Sequence, residues 1–267
     1  MIDFLGIARE RIYSPGKVDD DRAILEAVAG ELRLTHRVAV VSADDRLPAV
    51  APPTVVFAMC QGPVALAKLR EWEAAGVRVI NCVAGIENAH RRRMLAAFAR
   101  HGVAHPESVL VPTAAPGALP DWVDAGAWLK RGDVHAIEAG DVLAVTDRAS
   151  ARTALAAFAD RGIASALLQR HAPGSVIKFY AVCRGAYFRW FATAGAPRLS
   201  ERAEERMQRL AEAGAAALQL EVFGGDCVCD DQENLSLIDL NDWPSYGRCR
   251  SEAAAAIALY IRRVRTP

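Results

Sequence analysis

The stretch LIDLNDWPSYG, residues 237–247, decides the fold. It begins as a buried strand would, because three of its first four residues are apolar. Polar side chains then fall where such a strand should close off its core: Asp239, Asn241 and Asp242. A second strand-like run, VFGGDCVCDD, lies upstream and carries Asp226 among small and apolar neighbours. The polar turn DDQEN joins the two runs, so they are expected to form an antiparallel pair.

Such a pair of strands would bring Asp226 and Asp239 close together. Asn241 would project to the same side as Asp239, because side chains alternate with a period of two, and Asp242 would point away. Two carboxylates and an amide on one sheet face are costly without a counter-charge. A bound Mg²⁺ with a nucleotide would supply that charge, since Mg²⁺ takes oxygen ligands. The alternative, that these residues cap strand ends and bond to turn backbone, stays open on the chemistry alone.

Two lysines lie within apolar, strand-like runs. Lys130 follows Trp128 and Leu129, and Lys178 lies within VIKFY. A lysine flanked in this way extends to the edge of its strand or faces an anion. Together with the paired acids, the two lysines would form a cradle for a magnesium triphosphate. Catalysis of phosphoryl transfer depends mainly on such positioning and charge neutralisation.

Composition narrows the class of protein. Among 267 residues, 32 Lys plus Arg balance 32 Asp plus Glu, and 52% are hydrophobic, as in an ordinary folded globule. Zero net charge gives no long-range attraction, so neither nucleic acid nor a membrane is an expected partner. No apolar run approaches the ~20 residues that span a bilayer, and no signal peptide is evident, which favours the cytoplasm. The six cysteines form no C-x-x-C pair and are expected as reduced thiols.

Strands that alternate with helices predict an α/β class with parallel pairing in the N-terminal part of the chain. The texture changes near residue 104, and the last third is expected to be α+β with antiparallel strands. Helices are expected near residues 19–32, 63–75, 89–100, 149–161, 200–219 and 250–264. Strands are expected near residues 37–45, 52–59, 77–81, 127–132, 165–171, 175–185, 186–195, 222–230 and 235–241, with one more short strand in the proline-rich connection.

Several familiar catalytic motifs are missing from the sequence. The stretch SPGK, residues 14–17, resembles the end of a phosphate-binding loop, but that pattern requires Gly where Arg11 stands. No G-x-G-x-x-G follows the first strand, and neither G-x-S-x-G nor H-E-x-x-H occurs. His135 and His171 are isolated, which is more typical of structural histidines than of metal ligands.

Over nearly the whole chain, the order of elements resembles the ATP-grasp superfamily. The last two strands of that family end in D…(D/E)-x-N, which would here be Asp226 and then Asp239-Leu240-Asn241. The text IDLNDWPSYG and the hinge-plus-lysine text LLQRHAPGSVIKFYAV resemble the branch of ribosomal-protein-S6-type glutamate ligases and inositol tetrakisphosphate kinases. The arginines at residues 91–93, followed by a turn at residues 102–106, are similar to the segment before the family's central lobe.

The resemblance implies a role for several side chains. Lys130 would bind the α- and β-phosphates of ATP, and Lys178 would approach the γ-phosphate or the acceptor. One arginine of residues 91–93 would be the basic residue that precedes the central lobe. The hinge against adenine would be formed by Leu168, Gln169, Arg170 and His171. One or two Mg²⁺ ions would be held by Asp226, Asp239 and Asn241.

Two arginines follow the strand expected near residues 235–241, and two roles are open for them. Arg248 and Arg250 could hold a substrate carboxylate in bidentate fashion, which would give Arg248 a catalytic role beside Lys178. Alternatively, they are the solvated start of the last helix.

The sequence also departs from the family pattern. The family's glycine-rich lid would correspond to RGDVHAIEAGD, residues 131–141, which offers only Gly132 and Gly140. Arg170 stands near the place where the family offers an acid to the ribose, and Ser245 replaces the more usual Gly. We therefore expect an altered lid and altered ribose contacts.

The resemblance implies an ATP-grasp fold with three lobes. These are an N-terminal Rossmann-like α/β lobe over residues 1–88, a small central lobe over residues 89–166, and a C-terminal lobe with the metal site over residues 167–267. The implied activity is a Mg-ATP-dependent ligase that joins a small-molecule or peptide carboxylate to an amine or similar nucleophile through an acyl-phosphate. A small-molecule kinase and a non-catalytic nucleotide-binding protein are the alternatives. The oligomeric state is left open, with a homodimer as one option.

Overall fold

The computed structural model describes residues 2–14, 16–132, 138–193 and 198–265. These residues form three four-stranded sheets and seven α-helices. Each sheet has one or both faces covered by helices. The arrangement follows the chain, since the N-terminal, central and C-terminal sheets are built from successive parts of the sequence.

The N-terminal sheet is parallel, with strand order β2-β1-β3-β4. Its strands are β1 (Phe4–Ala8), β2 (Val38–Ser42), β3 (Val55–Ala58) and β4 (Arg78–Ile80). Three helices follow strands of this sheet: α1 (Val18–Arg33), α2 (Pro63–Ala74) and α3 (Val83–Asn88). Phe4 faces α1, whereas Leu5 faces α2 and α3, because successive side chains of a strand point to opposite sides. The predicted α/β alternation is therefore confirmed.

The central sheet is antiparallel, with strand order β5-β8-β6-β7. Its strands are β5 (Ser108–Pro112), β6 (Ala127–Arg131), β7 (Val142–Val145) and β8 (Ser165–Arg170). Helix α5 (Arg148–Asp160) covers one face, where Leu155 and Phe158 pack with Leu129 and Leu168. The sequence did not predict β7, because its four residues follow a polar stretch and are too few to show a period.

The C-terminal sheet is antiparallel, with strand order β10-β9-β11-β12. Its strands are β9 (Ser175–Val182), β10 (Tyr187–Ala192), β11 (Val222–Cys229) and β12 (Leu235–Asp242). Helices α4 (Arg91–His101) and α6 (Glu201–Leu218) cover one face, where Phe179 and Phe223 are buried. On the other face, Tyr180 and Val182 pack with α7 (Arg250–Arg265) and the N-terminal sheet. The remainder of that face is turned toward the central sheet.

The segment after β12 joins the N-terminal and C-terminal sheets. Trp243 is fully buried, and its indole N–H donates to the carbonyl of Ile80 at 3.2 Å. The hydroxyl of buried Tyr246 donates to the carbonyls of Ala181 and Phe223 at 2.9 and 3.1 Å. Residues 243–246 therefore connect the N-terminal and C-terminal sheets and hold β12 in place.

The packing of α4 and β8 bears on the lobe limits. Helix α4 packs in the apolar cluster under the C-terminal sheet, and β8 is an inner strand of the central sheet. The expected limits at residues 88 and 166 stay a prediction. In the part of the chain that the structure describes, no helix has the length and apolar character to cross a bilayer.

Candidate active site

A cavity of about 290 Å³ lies between the uncovered faces of the central and C-terminal sheets. Strands β6 and β8 form one wall, and β9, β11 and β12 form the other. One end of the cavity is charged and the other is apolar. Most of the residues singled out in the sequence lie in or beside it.

A row of functional side chains crosses the C-terminal sheet. Lys178 on β9 is directly opposite Asp226 on β11, which is directly opposite Asp239 on β12. Directly opposed residues project to the same face, so the three side chains are neighbours. Lys178 Nζ lies 2.7 Å from Asp226 Oδ1. Asn241, two residues after Asp239, occupies the same face, as the period of two predicted.

The sequence around this row allows the two acid-bearing strands to lie close together. A Cβ atom at Gly225 would be 2.3 Å from the carbonyl oxygen of Asp239, so any side chain there would push β11 and β12 apart. The register also shifts directly after Asp226, which is the mark of a β-bulge. Asp242 projects away from the row and accepts a hydrogen bond from Gln61 Nε2 at 2.9 Å. Asp242 therefore contributes to the contact between the C-terminal and N-terminal sheets.

Arg91 is the arginine of residues 91–93 that reaches the cavity. Its side chain is only 2% exposed, and its Nη2 lies 3.6 Å from Asp239 Oδ2. Its Nη1 donates to the carbonyl of Arg131 at 3.0 Å, which ties α4 to the central sheet. Arg92 and Arg93 are exposed, and Arg93 pairs with Glu87. The sequence could not choose among three adjacent arginines, because the choice depends on how α4 packs.

Lys130 bridges the two walls of the cavity. It is buried, and its Nζ donates to Gln169 Oε1 at 2.8 Å and to the carbonyl of Ile238 at 3.0 Å. Burial lowers the pKa of Lys130, with nearby Asp239 acting in the opposite direction. The ammonium is thus held next to the acid-bearing strand β12, where it can meet an anionic ligand in the cavity.

The other end of the cavity is lined by apolar side chains. Trp128 stands two residues before Lys130, shares its face of β6 and is 38% exposed. The aliphatic side chains around it are Val142, Val176, Val228 and Ile238. A flat, apolar slot beside an aromatic ring suits a planar base. Trp128 was not among the predicted site residues, although the period of two places it on the same face as Lys130.

Three of the four predicted hinge residues line the cavity, and the fourth has its side chain on the opposite face of β8. Gln169 is buried and lines the cavity, as do Arg170 and His171, both exposed. The side chain of Leu168 points to the opposite face and is buried against α5, so this residue could contribute only its backbone to the predicted hinge. Since β8 alternates with a period of two, the side chains of Leu168 and Gln169 cannot both face the cavity.

The hinge backbone is partly committed within the protein. The N–H groups of Arg170 and His171 donate to the carbonyls of Glu107 and Gly126, at 2.8 and 3.1 Å. Arg170 also forms an exposed ion pair with Glu107, with nitrogen and oxygen 3.3 Å apart. A ligand must therefore be read by other groups, including Ala172, which lines the cavity and was not predicted.

Arg248 and Arg250 have different surroundings. Arg250 Nη2 lies 2.6 Å from Asp20 Oδ1 on α1, so this arginine helps to join α7 to α1. The exposed Arg248 has its guanidinium carbon 5.4 Å from the ring centroid of Phe191. Phe191 is directly opposite Lys178 on β10, so Arg248 stands beyond the lysine end of the row. Of the two, Arg248 is the one that is exposed beside the row.

The oxygen donors of Asp226, Asp239 and Asn241 fit magnesium better than a metal ion whose ligands all come from the protein. Asp226 and Asp239 have side chains 24% and 17% exposed, so their oxygens can reach a ligand. In the described ranges, no group of three or more His, Cys, Asp or Glu side chains is placed to hold a metal. Two carboxylates and the amide of Asn241 match an ion that takes its remaining oxygen ligands from phosphate and water.

The middle of the predicted lid, residues 133–137, lies outside the described residues. Pro15, in the SPGK stretch, is likewise outside. Gly132, before the gap, has no space for a side chain, because a Cβ atom would lie 2.9 Å from the carbonyl oxygen of Ser165. After the gap, buried Asp141 pairs with Arg131 at 3.1 Å and with Arg161. Both ends of the stretch are therefore anchored on the central sheet.

A second, larger cavity of about 890 Å³ lies at the carboxyl ends of β1 and β2. Arg9 forms part of its wall and pairs with buried Asp21, at 3.3 Å between Nη1 and Oδ2. Arg9 also donates to the carbonyl of Trp243 at 3.0 Å, which connects this cavity to the segment that follows β12. In open α/β sheets, ligands bind at the carboxyl ends of the strands, so this cavity is a second place for a small molecule.

Neither a protein-family model nor a curated protein matches the sequence. Solved structures do match. D-alanine–D-alanine ligase from Bacillus anthracis, complexed with ATP, is 11% identical with a TM-score of 0.73, covering 99% of both chains. A RimK-domain ATP-grasp protein from Sphaerobacter thermophilus is 16% identical with a TM-score of 0.67, covering 97% of this chain and 99% of its own. D-cycloserine synthetase DcsG is 15% identical with a TM-score of 0.66 and the same coverage.

These similarities extend over almost the entire chain and establish its architecture. The protein has the ATP-grasp fold, which confirms the fold that the strand ends and the order of elements predicted. At identities of 11–16%, the similarity concerns the fold alone. The activity has to be argued from the site.

Proposed function

We propose that the protein is a Mg-ATP-dependent ligase that joins a carboxylate to an amine or a similar nucleophile. One observation carries the proposal: Lys178, Asp226 and Asp239 form a continuous row, and the two carboxylates of this row line a cavity whose other wall holds Lys130. Such a cavity has carboxylates for a metal and cations for phosphates within one small space. The similar structures include a ligase complexed with ATP, which supports the proposal.

ATP would lie with its base at the apolar end and its phosphates at the charged end. Trp128 and the aliphatic side chains around it would hold the base, and Gln169 would contact its polar edge. Lys130 and Arg91 would bind the α- and β-phosphates, since both are buried and fixed by hydrogen bonds. Asp226, Asp239 and Asn241 would hold one or two Mg²⁺ ions, whose bound charge would offset that of the triphosphate.

The reaction would proceed in two displacements. An oxygen of the acceptor carboxylate attacks the γ-phosphorus, the bond to the β–γ bridging oxygen breaks, and ADP leaves. The nucleophile then attacks the acyl carbon, and inorganic phosphate leaves with the bonding electron pair. Lys178 would stabilise charge on the transferred phosphoryl group, and the two sheets would orient the reactants and exclude water.

The acceptor would enter from the Lys178 end of the row. Arg248 stands there above Phe191 and is free to hold the acceptor carboxylate in bidentate fashion. The cavity at the carboxyl ends of β1 and β2 would receive the rest of the acceptor, a small molecule or a peptide. We propose a cytoplasmic protein without a nucleic-acid or membrane partner, and a homodimer as the assembly to test first.

The neighbours of the arginines favour a ligase over a kinase for polyphosphorylated substrates. Such a kinase requires many unpaired cations around the acceptor. Two arginines that could supply such cations are already paired with acids, since Arg189 pairs with Glu252 at 3.2 Å and Arg250 pairs with Asp20. A single guanidinium such as Arg248 suits one carboxylate better than a polyphosphate.

Release of ADP from ATP and Mg²⁺ is the assay that tests the proposal. It would be measured first with pools of amino acids and small carboxylates plus an amine source, then with sugars and inositol phosphates. Turnover that requires both a carboxylate and an amine supports the ligase. Turnover with a hydroxyl acceptor alone would identify a kinase, and tight ATP binding without turnover in any pool would identify a non-catalytic nucleotide-binding protein.

A further inference from the structure

Each of the two candidate metal carboxylates is engaged by a cation of the protein. Lys178 Nζ lies 2.7 Å from Asp226 Oδ1, and Arg91 Nη2 lies 3.6 Å from Asp239 Oδ2. At 2.7 Å an ammonium occupies one of the positions around the carboxylate that a metal ion would use. The same carboxylate oxygen cannot serve both cations fully.

The two cations differ in their freedom to leave. Arg91 is only 2% exposed and is also bonded to the carbonyl of Arg131, so it is fixed in place. The side chain of Lys178 is 45% exposed, and its flexible stem allows the ammonium to swing toward a ligand. Lys178 is therefore the cation that can exchange partners.

The net charge of the site disfavours the binding of a metal ion in the absence of nucleotide. Three cationic side chains, Arg91, Lys130 and Lys178, face two carboxylates, which leaves a formal excess of one positive charge. A divalent cation would add to that excess, whereas a triphosphate would reverse it. Like charges at close range disfavour each other strongly in a partly buried site.

We propose that Lys178 and a divalent metal ion compete for Asp226, and that the phosphates of the nucleotide decide the competition. When a triphosphate binds, the Lys178 ammonium moves to a phosphate oxygen and leaves Asp226 to the metal. Metal and nucleotide therefore bind with positive coupling, and the metal alone binds weakly. The inference rests on the proposed function, since it assumes that this cavity takes Mg-ATP.

The substitution Lys178→Met tests the competition, because it has opposite effects on the two ligands. Mn²⁺ binding without nucleotide would be measured by electron paramagnetic resonance, and ATP binding without metal by isothermal titration calorimetry. We expect Mn²⁺ to bind about tenfold more tightly than to the wild-type protein, since Asp226 loses its competitor. ATP should bind about tenfold more weakly, since a phosphate loses its partner. If Lys178 had a merely structural role, its substitution would weaken the binding of both Mn²⁺ and ATP.

Three further variants isolate the cause. Lys178→Arg keeps the positive charge, so Mn²⁺ alone should bind as weakly as to the wild type. Lys178→Met combined with Asp226→Asn should lose the gain, because the released carboxylate is missing. Lys68→Met removes an exposed lysine that pairs with Glu71 on α2, and it should change neither ligand's affinity. Melting temperatures of all variants would establish that they are folded.

The outcomes separate this inference from the proposed function. If the wild type binds Mg-ATP but Lys178→Met binds Mn²⁺ no more tightly, the competition is contradicted and the proposed function stands. A gain that persists in the Lys178→Met, Asp226→Asn variant would also overturn it. If the wild type binds no nucleotide in any condition, the proposed function itself fails.

Discussion

The two sheets that enclose the cavity each carry one lysine in or beside it, and the two lysines have opposite surroundings. Lys130, on the central sheet, is buried and donates to two neutral oxygens, those of Gln169 and Ile238. Lys178, on the C-terminal sheet, is half-exposed and pairs with the carboxylate of Asp226. Neither environment follows from the sequence, in which both lysines interrupt apolar strands.

The difference indicates a division of labour between the sheets. A buried ammonium that is hydrogen-bonded to two neutral oxygens has a fixed position, which suits a permanent phosphate ligand. An exposed ammonium on a carboxylate can exchange its partner during a reaction cycle. We therefore expect the central wall to determine nucleotide affinity and the C-terminal wall to determine turnover.

Asp239→Asn should have the largest effect. The amide keeps the size of the side chain but removes the charge that would hold the metal, so ATP-dependent turnover should fall by about 100-fold or more. Turnover would be measured as ADP release with the acceptor identified in the pool assay. Asp231→Asn, an exposed acid in the turn between β11 and β12, is the matched control and should behave as the wild type. Turnover of Asp239→Asn at the wild-type rate would refute the metal assignment.

Lys130→Met should mainly weaken nucleotide binding. Loss of a buried charge that meets the phosphates should raise the dissociation constant of ATP about 30-fold, more than Lys178→Met does. Titration calorimetry of both variants under the same conditions gives the comparison directly. Equal or reversed effects of the two substitutions would remove the division of labour between the walls.

Trp128→Ala should have a smaller effect at the apolar end. Stacking of a base on an aromatic ring contributes about 1–3 kcal/mol, and the lower end of this range corresponds to a fall in ATP affinity of about five- to tenfold, with a smaller loss in Trp128→Phe. In the wild type, ATP should quench tryptophan fluorescence, and this signal should disappear in Trp128→Phe. Trp72→Phe, which changes a buried residue on α2, should leave the quenching intact. Quenching that survives in Trp128→Phe would place the base elsewhere.

The smallest effect concerns chemical labelling of the two lysines. Reductive methylation, followed by peptide mass spectrometry, should modify half-exposed Lys178 readily and leave buried Lys130 unmodified in the folded protein. ATP with Mg²⁺ should protect Lys178. Rapid labelling of Lys130 would show that the central wall opens to solvent, contrary to a fixed phosphate ligand.

Sequence reasoning succeeded where the signal is local. The period of two placed Asp226, Asp239 and Asn241 on one face, and the turn DDQEN fixed the pairing of their strands. The same period shows that the side chains of Leu168 and Gln169 face opposite ways, so of these two only Gln169 can present its side chain to the cavity.

Other features of the site depend on contacts between distant parts of the chain. Arg91 reaches Asp239 because α4 packs under the C-terminal sheet. Ile238 enters the cavity at the bulge after Asp226, where the regular alternation is broken. The partner of Lys178 and the partners of Lys130 likewise come from strands far along the chain. No local pattern carries that information.

A crystal structure with a non-hydrolysable ATP analogue and Mn²⁺ would locate the nucleotide and the metal in one experiment. We expect an anomalous peak about 2.0–2.3 Å from oxygens of both Asp226 and Asp239, with the base against Trp128 and the phosphates at Lys130. Lys178 should contact a phosphate oxygen in place of Asp226. A nucleotide bound outside this cavity, or a metal held without either carboxylate, would contradict the account.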